Sequence, residues 1–144
     1  MKRSSNPSSA VVIGHGSAGQ RHARVLAEFG LDVTIVSRRP DVGRFASVVD
    51  AIKACDPDYI VVATETVDHA RALAELSDVA DRALILVEKP LFGACPSTSL
   101  AVFTGLRVGF PLRMHSGLRK LRAEIAEQKI LSAQIYCGQF LPDW

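Results

Sequence analysis

Residues 10–19, AVVIGHGSAG, join a short apolar run to a turn with glycine at positions 14, 16 and 19. The run at 10–13 has the length and the branched side chains of a strand covered on both faces. Beyond the turn, Ala18, His22, Val25, Leu26 and Phe29 recur at helical spacing, and Gly30 is placed to end the helix. The stretch therefore reads strand, tight turn, helix. In that context Gly14-His15-Gly16-Ser17-Ala18-Gly19 matches G-x-G-x-x-G, a spacing that carries meaning between a strand and a helix. Gly14 permits the turn, Gly16 lets a pyrophosphate approach the backbone, and Gly19 lets the helix pack close to the strand. The helix start, at Ser17, Ala18 and Gly19, then offers unpaired N–H groups and positive dipole to phosphate oxygens. The expectation is a site for a dinucleotide, NAD or NADP.

Working outward, short apolar runs alternate with helical patterns. Strands are expected at 10–13, 32–36, 45–48, 59–63, 83–87 and 107–110. Helices are expected at 18–29, 50–55 and 66–76, with Asp50 and Thr66 as N-caps. This alternation predicts an α/β fold with a doubly wound parallel sheet, the Rossmann fold, in strand order 3-2-1-4-5-6. The stretch 93–99, GACPSTS, is turn-rich and breaks the pattern. After residue 110 the character changes to an amphipathic helix at 116–128 and a further strand at 131–137. The organisation read from this is a disordered tail at 1–9, a nucleotide-binding domain at 10–115 and, at 116–144, the start of a truncated second α/β domain. A strand at 131–137 without neighbours of its own invites pairing with another chain, so self-association through it is expected.

Composition narrows the classes further. At 144 residues, 48% of them apolar, the chain can build one well-buried core. The net charge of +2, with both signs interspersed, predicts no nucleic-acid partner. Cys55, Cys95 and Cys137 are odd in number and far apart, which suggests neither a disulfide framework nor a metal site. No apolar run has the length of a signal-peptide core or a membrane span, so a cytoplasmic protein with no membrane partner is expected.

The end of the second strand bears on which nucleotide is held. NAD sites usually place a carboxylate there, accepting from the ribose 2′-hydroxyl. This chain has Ser37-Arg38-Arg39 instead. Guanidinium groups suit a 2′-phosphate that a carboxylate would repel, so NADP is preferred over NAD, with Arg38 the better candidate of the two.

Two further segments complete a recognisable set. Ala63-Thr64-Glu65-Thr66-Val67-Asp68-His69 resembles the AT-x-T-x-x-H stretch of the glucose–fructose oxidoreductase/inositol dehydrogenase/MocA family. Glu88-Lys89-Pro90 resembles that family's EKP motif, and residues 108–115 are similar to its VGF-x-LR-x-H stretch. Glu65 stands where the family commonly has proline, and Pro111 where a polar residue is frequent. The resemblance implies NAD(P)-dependent oxidation or reduction of a sugar, sugar derivative or cyclitol. It also implies that Lys89 hydrogen-bonds the reacting hydroxyl, while Glu88 and Pro90 aim it and Pro90 holds an unusual peptide geometry. The family's Asp/His proton-transfer residues would lie beyond Trp144, and no histidine follows His115. Thr64 and Thr66 read as nucleotide contacts or as turn formers, and His69 as lining the cleft or as a surface residue. His22, on the buried face of the first helix, reads as a satisfied core histidine. The rival reading is a nucleotide-binding module without catalysis, alone or with a partner subunit.

Overall fold

A computed structural model describes residues 7–80, 82–93, 100–134 and 136. The chain divides into two units, residues 1–109 and 110–144. The first holds β1 (Ser9–Ile13), α1 (Ser17–Glu28), β2 (Asp32–Val36), α2 (Val48–Cys55), β3 (Tyr59–Val62), α3 (His69–Ser77), β4 (Leu84–Glu88) and β5 (Leu106–Gly109). A single turn of 3-10 helix, Thr66–Asp68, leads into α3. The five strands form one parallel sheet in the order β2-β1-β3-β4-β5.

Successive side chains along the strands point to opposite faces of the sheet, as its pleat requires. Val11, Ile13, Ile60, Val62, Ile85 and Val87 face one side and pack with Ala51 and Ile52 of α2 and Leu73 and Leu76 of α3. Val12, Val61 and Ala63 face the other side, where Ala18, Ala23 and Leu26 of α1 cover them. Cover on both sides explains why β1 and β3 are apolar almost throughout. Each Val or Ile so buried stabilises the fold by roughly 1.5–3 kcal/mol.

The expected third strand is the main departure. Phe45 makes one isolated parallel bridge to Val36 on the free edge of β2, and no strand forms at 45–48. The chain turns into α2 at once: Ser47 is its N-cap, with Oγ accepting the Asp50 N–H at 3.2 Å. Ser47, not Asp50, is therefore the cap, because a hydroxyl three residues ahead of an amide reaches it. Counting that bridge as the missing strand, the order is the doubly wound one. The next cap differs too, since Glu65 rather than Thr66 precedes the 3-10 turn. Helix α1 ends at Glu28, one residue earlier than read, and Phe29 lies exposed beyond it. At the other end, β1 begins at Ser9 because Asp58 holds it: its Oδ2 accepts the N–H groups of Ser8 and Ser9 at 2.9 and 3.2 Å.

The second unit contains a 3-10 turn at Pro111–Met114 and α4 (Ser116–Ile125), shorter than the helix expected to residue 128. Leu118 and Leu121 on α4 stay exposed. The strand expected at 131–137 is not present at residues 131–134 or 136, and residues 135 and 137 lie outside the described set. Among residues 131–134 and 136 the strand edge on which self-association was argued is not formed. Most of the turn-rich 93–99 stretch, with Cys95, and Cys137 also fall outside the described residues. Among the described residues no helix is long and apolar enough to cross a membrane.

Candidate functional site

The glycine turn lies at the carboxyl ends of β1, β2 and β3, where the strand order reverses between β1 and β3. In open α/β sheets that reversal leaves a crevice. Gly14 closes the turn at φ +99°, donating its N–H to the Val36 carbonyl at 2.9 Å. A β-carbon at Gly14 would stand 2.6 Å from the Ala63 carbonyl oxygen. One at Gly19 would be driven into the Gly14 carbonyl oxygen, well inside contact distance. One at Gly16 would meet nothing within 4 Å. Two of the glycines therefore serve the backbone, and the third faces open space.

Gly16 is also the N-cap of α1, with no side-chain cap and no acidic residue in the first turn. Among the described residues no side chain caps or offsets the dipole and amides at this end. A cleft of about 430 Å³ opens there, lined by Gly14, His15 and Gly16, by Ser37, Arg38 and Arg39, and by Thr64 and Glu65. Asp68, Arg71 and Glu75 complete its far wall. Thr64 Oγ1 is buried at this wall without a hydrogen-bond partner. A buried hydroxyl left unpaired is costly, and a ligand in the cleft could relieve it.

The charged groups are already engaged. Arg39 donates to the His15 carbonyl at 3.2 Å, tying the loop after β2 to the glycine turn. Arg38 donates to Asp68 Oδ2 at 3.1 Å, and Arg71 to Asp68 Oδ1 at 3.0 Å. The hydrogen bond from Arg71, with the charges of Arg71, Arg38 and His69, holds the Asp68 carboxyl below its ordinary range despite partial burial. Arg71 is correspondingly raised, first by that hydrogen bond. Glu65 has φ −64°, close to the value a proline ring imposes, so a proline would fit this backbone position.

The remaining residues singled out from the sequence do not line this cleft. Ser17, Ala18 and Gly19 lie behind its rim in the first turn of α1. Glu88 ends β4 with Oε1 2.6 Å from His22 Nε2, which satisfies His22 as expected at a half-buried position. Burial works to raise the Glu88 carboxyl, but the His22 hydrogen bond and charge outweigh it and leave it lowered. Lys89 is exposed, its N–H donating to Glu88 Oε2 at 3.3 Å, and the Lys89–Pro90 peptide is cis.

His69 is neither a cleft-lining nor a surface residue: it is 1% exposed. Its Nδ1 lies 3.1 Å from the carbonyl oxygens of Pro90 and Leu91, and its Nε2 3.2 Å from that of Thr64. The ring thus ties the Glu88–Pro90 loop to the cleft wall. His69→Ala removes the donor for these carbonyls and opens a cavity. It is expected to cost about 3 kcal/mol, read from the urea unfolding midpoint.

Sequence reasoning missed Asp68 and Arg71. The pairs Asp68–Arg71 and Arg71–Glu75 stand three and four residues apart, a spacing that marks helical neighbours and could have been read. Arg38 meeting Asp68 from thirty residues away had no local signal.

No family model matches the chain, and no curated protein matches it either. Solved structures do share its fold. A myo-inositol 2-dehydrogenase from Lactobacillus plantarum superposes with a TM-score of 0.63 at 18% identity, over 85% of this chain and 41% of that one. RSP, a Rex-family repressor, superposes with a TM-score of 0.55 at 16% identity, over 84% and 60%. RSP in complex with beta-NAD+ and operator DNA gives a TM-score of 0.51 at 16% identity, over 84% and 58%. The chain spans from 41% to 60% of the length of these structures. Identities this low carry the Rossmann fold and not the family.

The RSP complex overturns one expectation. A protein of this fold is seen with operator DNA, so the exclusion of a nucleic-acid partner from net charge does not stand. The physical reason is that phosphate binding depends on local clusters, which a chain-wide sum averages away. Arg113, Arg119 and Arg122 line one hollow of the second unit, a concentration the value of +2 does not register.

Proposed function

We propose that the cleft at the ends of β1, β2 and β3 holds NAD(P), with NADP preferred, and that the chain is the cofactor half of a sugar or cyclitol oxidoreductase. One observation carries the reading: of three glycines in the turn, Gly16 alone faces open space, and it does so at an uncapped helix start. In this reading the amides that follow Gly16 hold the pyrophosphate, and Thr64 Oγ1 gains the partner it lacks. Ser37, Arg38 and Arg39 surround the adenosine ribose, where guanidinium groups favour a 2′-phosphate. The bound nicotinamide supplies hydride transfer. Lys89 would hydrogen-bond the reacting hydroxyl and offset its developing charge, and its loop is held by Glu88 and His69.

Calorimetric titration with NADPH and NADH tests the reading. At least one is expected to bind in the micromolar range, and Arg38→Ala is expected to lower the NADPH-to-NADH affinity ratio about tenfold. Folded protein that binds neither nucleotide would remove the proposal. A second reading, a nucleotide-binding module without chemistry, is favoured by the likeness to a repressor seen with NAD+. Hydride transfer to NAD(P)+ from inositol or a simple sugar, lost in Lys89→Met, would decide for the enzyme.

A further inference from the structure

Asp68 occupies a position that neither the glycine motif nor the arginine pair accounts for. Its side chain makes no capping hydrogen bond to α3, although it is that helix's N-cap residue. Instead both oxygens face guanidinium groups of the cleft, Oδ2 toward Arg38 and Oδ1 toward Arg71. Arg38 is the more exposed partner, with 79% of its side chain accessible against 22% for Asp68. The anchored member of the pair is therefore the carboxylate, held by Arg71 from its own helix, and the movable member is Arg38. Arg71 in turn is steadied by Glu75 at 3.4 Å.

We infer that Asp68 is a specificity-determining residue, an internal anion that competes with the 2′-phosphate of NADP for Arg38. The inference rests on the proposed nucleotide site and adds to it the group that sets discrimination there. A phosphate dianion that pairs with Arg38 must first displace the carboxylate from the guanidinium. A nucleotide with a free 2′-hydroxyl makes no such demand on the guanidinium and leaves the pair in place. Asp68 thus lowers the advantage that Arg38 and Arg39 confer on NADP. The ionised state of Asp68, favoured by its two arginine partners, keeps the competition active across neutral pH.

The experiment is a calorimetric double-mutant cycle with NADPH and NADH on wild type, Asp68→Asn, Arg38→Ala and the double variant. Asparagine keeps the shape of the side chain and removes its charge. Asp68→Asn is expected to raise the NADPH-to-NADH affinity ratio about fivefold, the upper range for an exposed ion pair. In the double variant that gain is expected to vanish, because the competition runs through Arg38. A ratio unchanged or lowered in Asp68→Asn overturns the inference while leaving the nucleotide site intact. A gain that persists without Arg38 overturns it as well. Wild-type protein that binds neither nucleotide removes the site itself, an outcome visible before any variant is made.

Discussion

Gly16→Val is expected to weaken nucleotide binding at least about 100-fold while lowering the thermal unfolding midpoint by no more than roughly 5 °C, the cost of a poorer N-cap. The reasoning is geometric. Gly16 has φ −74° and ψ −173°, an extended conformation that valine adopts without strain, and its added β-carbon meets no neighbour. The fold has no steric reason to object. The new methyl groups project instead into the space at the start of α1, where a pyrophosphate would need to approach the backbone. Losing two charge-assisted hydrogen bonds there removes about 3 kcal/mol or more, which is the stated factor. Titration with NADPH alongside thermal unfolding reads both quantities. Binding retained in folded Gly16→Val would show that the turn is only a turn.

Three residues further on, the same kind of change has the opposite consequence. Gly19→Ala is expected to destabilise the protein by more than about 4 kcal/mol, measured as a fall in the urea midpoint or as failure to recover folded chain. The alanine methyl, whose position the helix backbone fixes, would collide with the Gly14 backbone carbonyl oxygen, and neither can swing aside. Relief requires α1 to lift away from β1 and β3, breaking the contacts of Ala18, Ala23 and Leu26 with Val12 and Val61. A domain stable by roughly 5–15 kcal/mol does not absorb such a loss easily. The two substitutions together separate the ligand role of the turn from its packing role. A Gly19→Ala protein of normal stability would refute the close approach of helix and strand.

The same contrast shows how unevenly the site was legible. Gly14, Gly16, Ser37, Arg38, Arg39 and Thr64 were all named from the sequence, and all of them line one cleft. Thr64 was named through motif resemblance; the others were readable because they closely follow strands, and strand ends in a parallel sheet converge on one edge. His69 was not readable in the same way. Its three carbonyl partners belong to Thr64, Pro90 and Leu91, and a histidine seven residues past a strand has no sequence mark for meeting a loop more than twenty residues later. Lys89 and Glu88 were named through motif resemblance, and they stand outside the cleft lining, on the loop that His69 fastens to it.

What the residues alone determined is the alternation of strand and helix, the parallel sheet and the glycine turn. Those depend on period, branching and local turn chemistry, which act over a few neighbours and are written in order along the chain. What only the tertiary structure decided is where that order is cut short and which distant groups meet. The strand at 45–48 shrank to one bridge because Ser47 caps α2 and draws the chain off the edge of β2. Asp68 came to face Arg38, and His22 to face Glu88, because packing on the two sides of one sheet carries their elements together. Such pairings follow from the layered arrangement of the whole domain, and no window of sequence contains both partners.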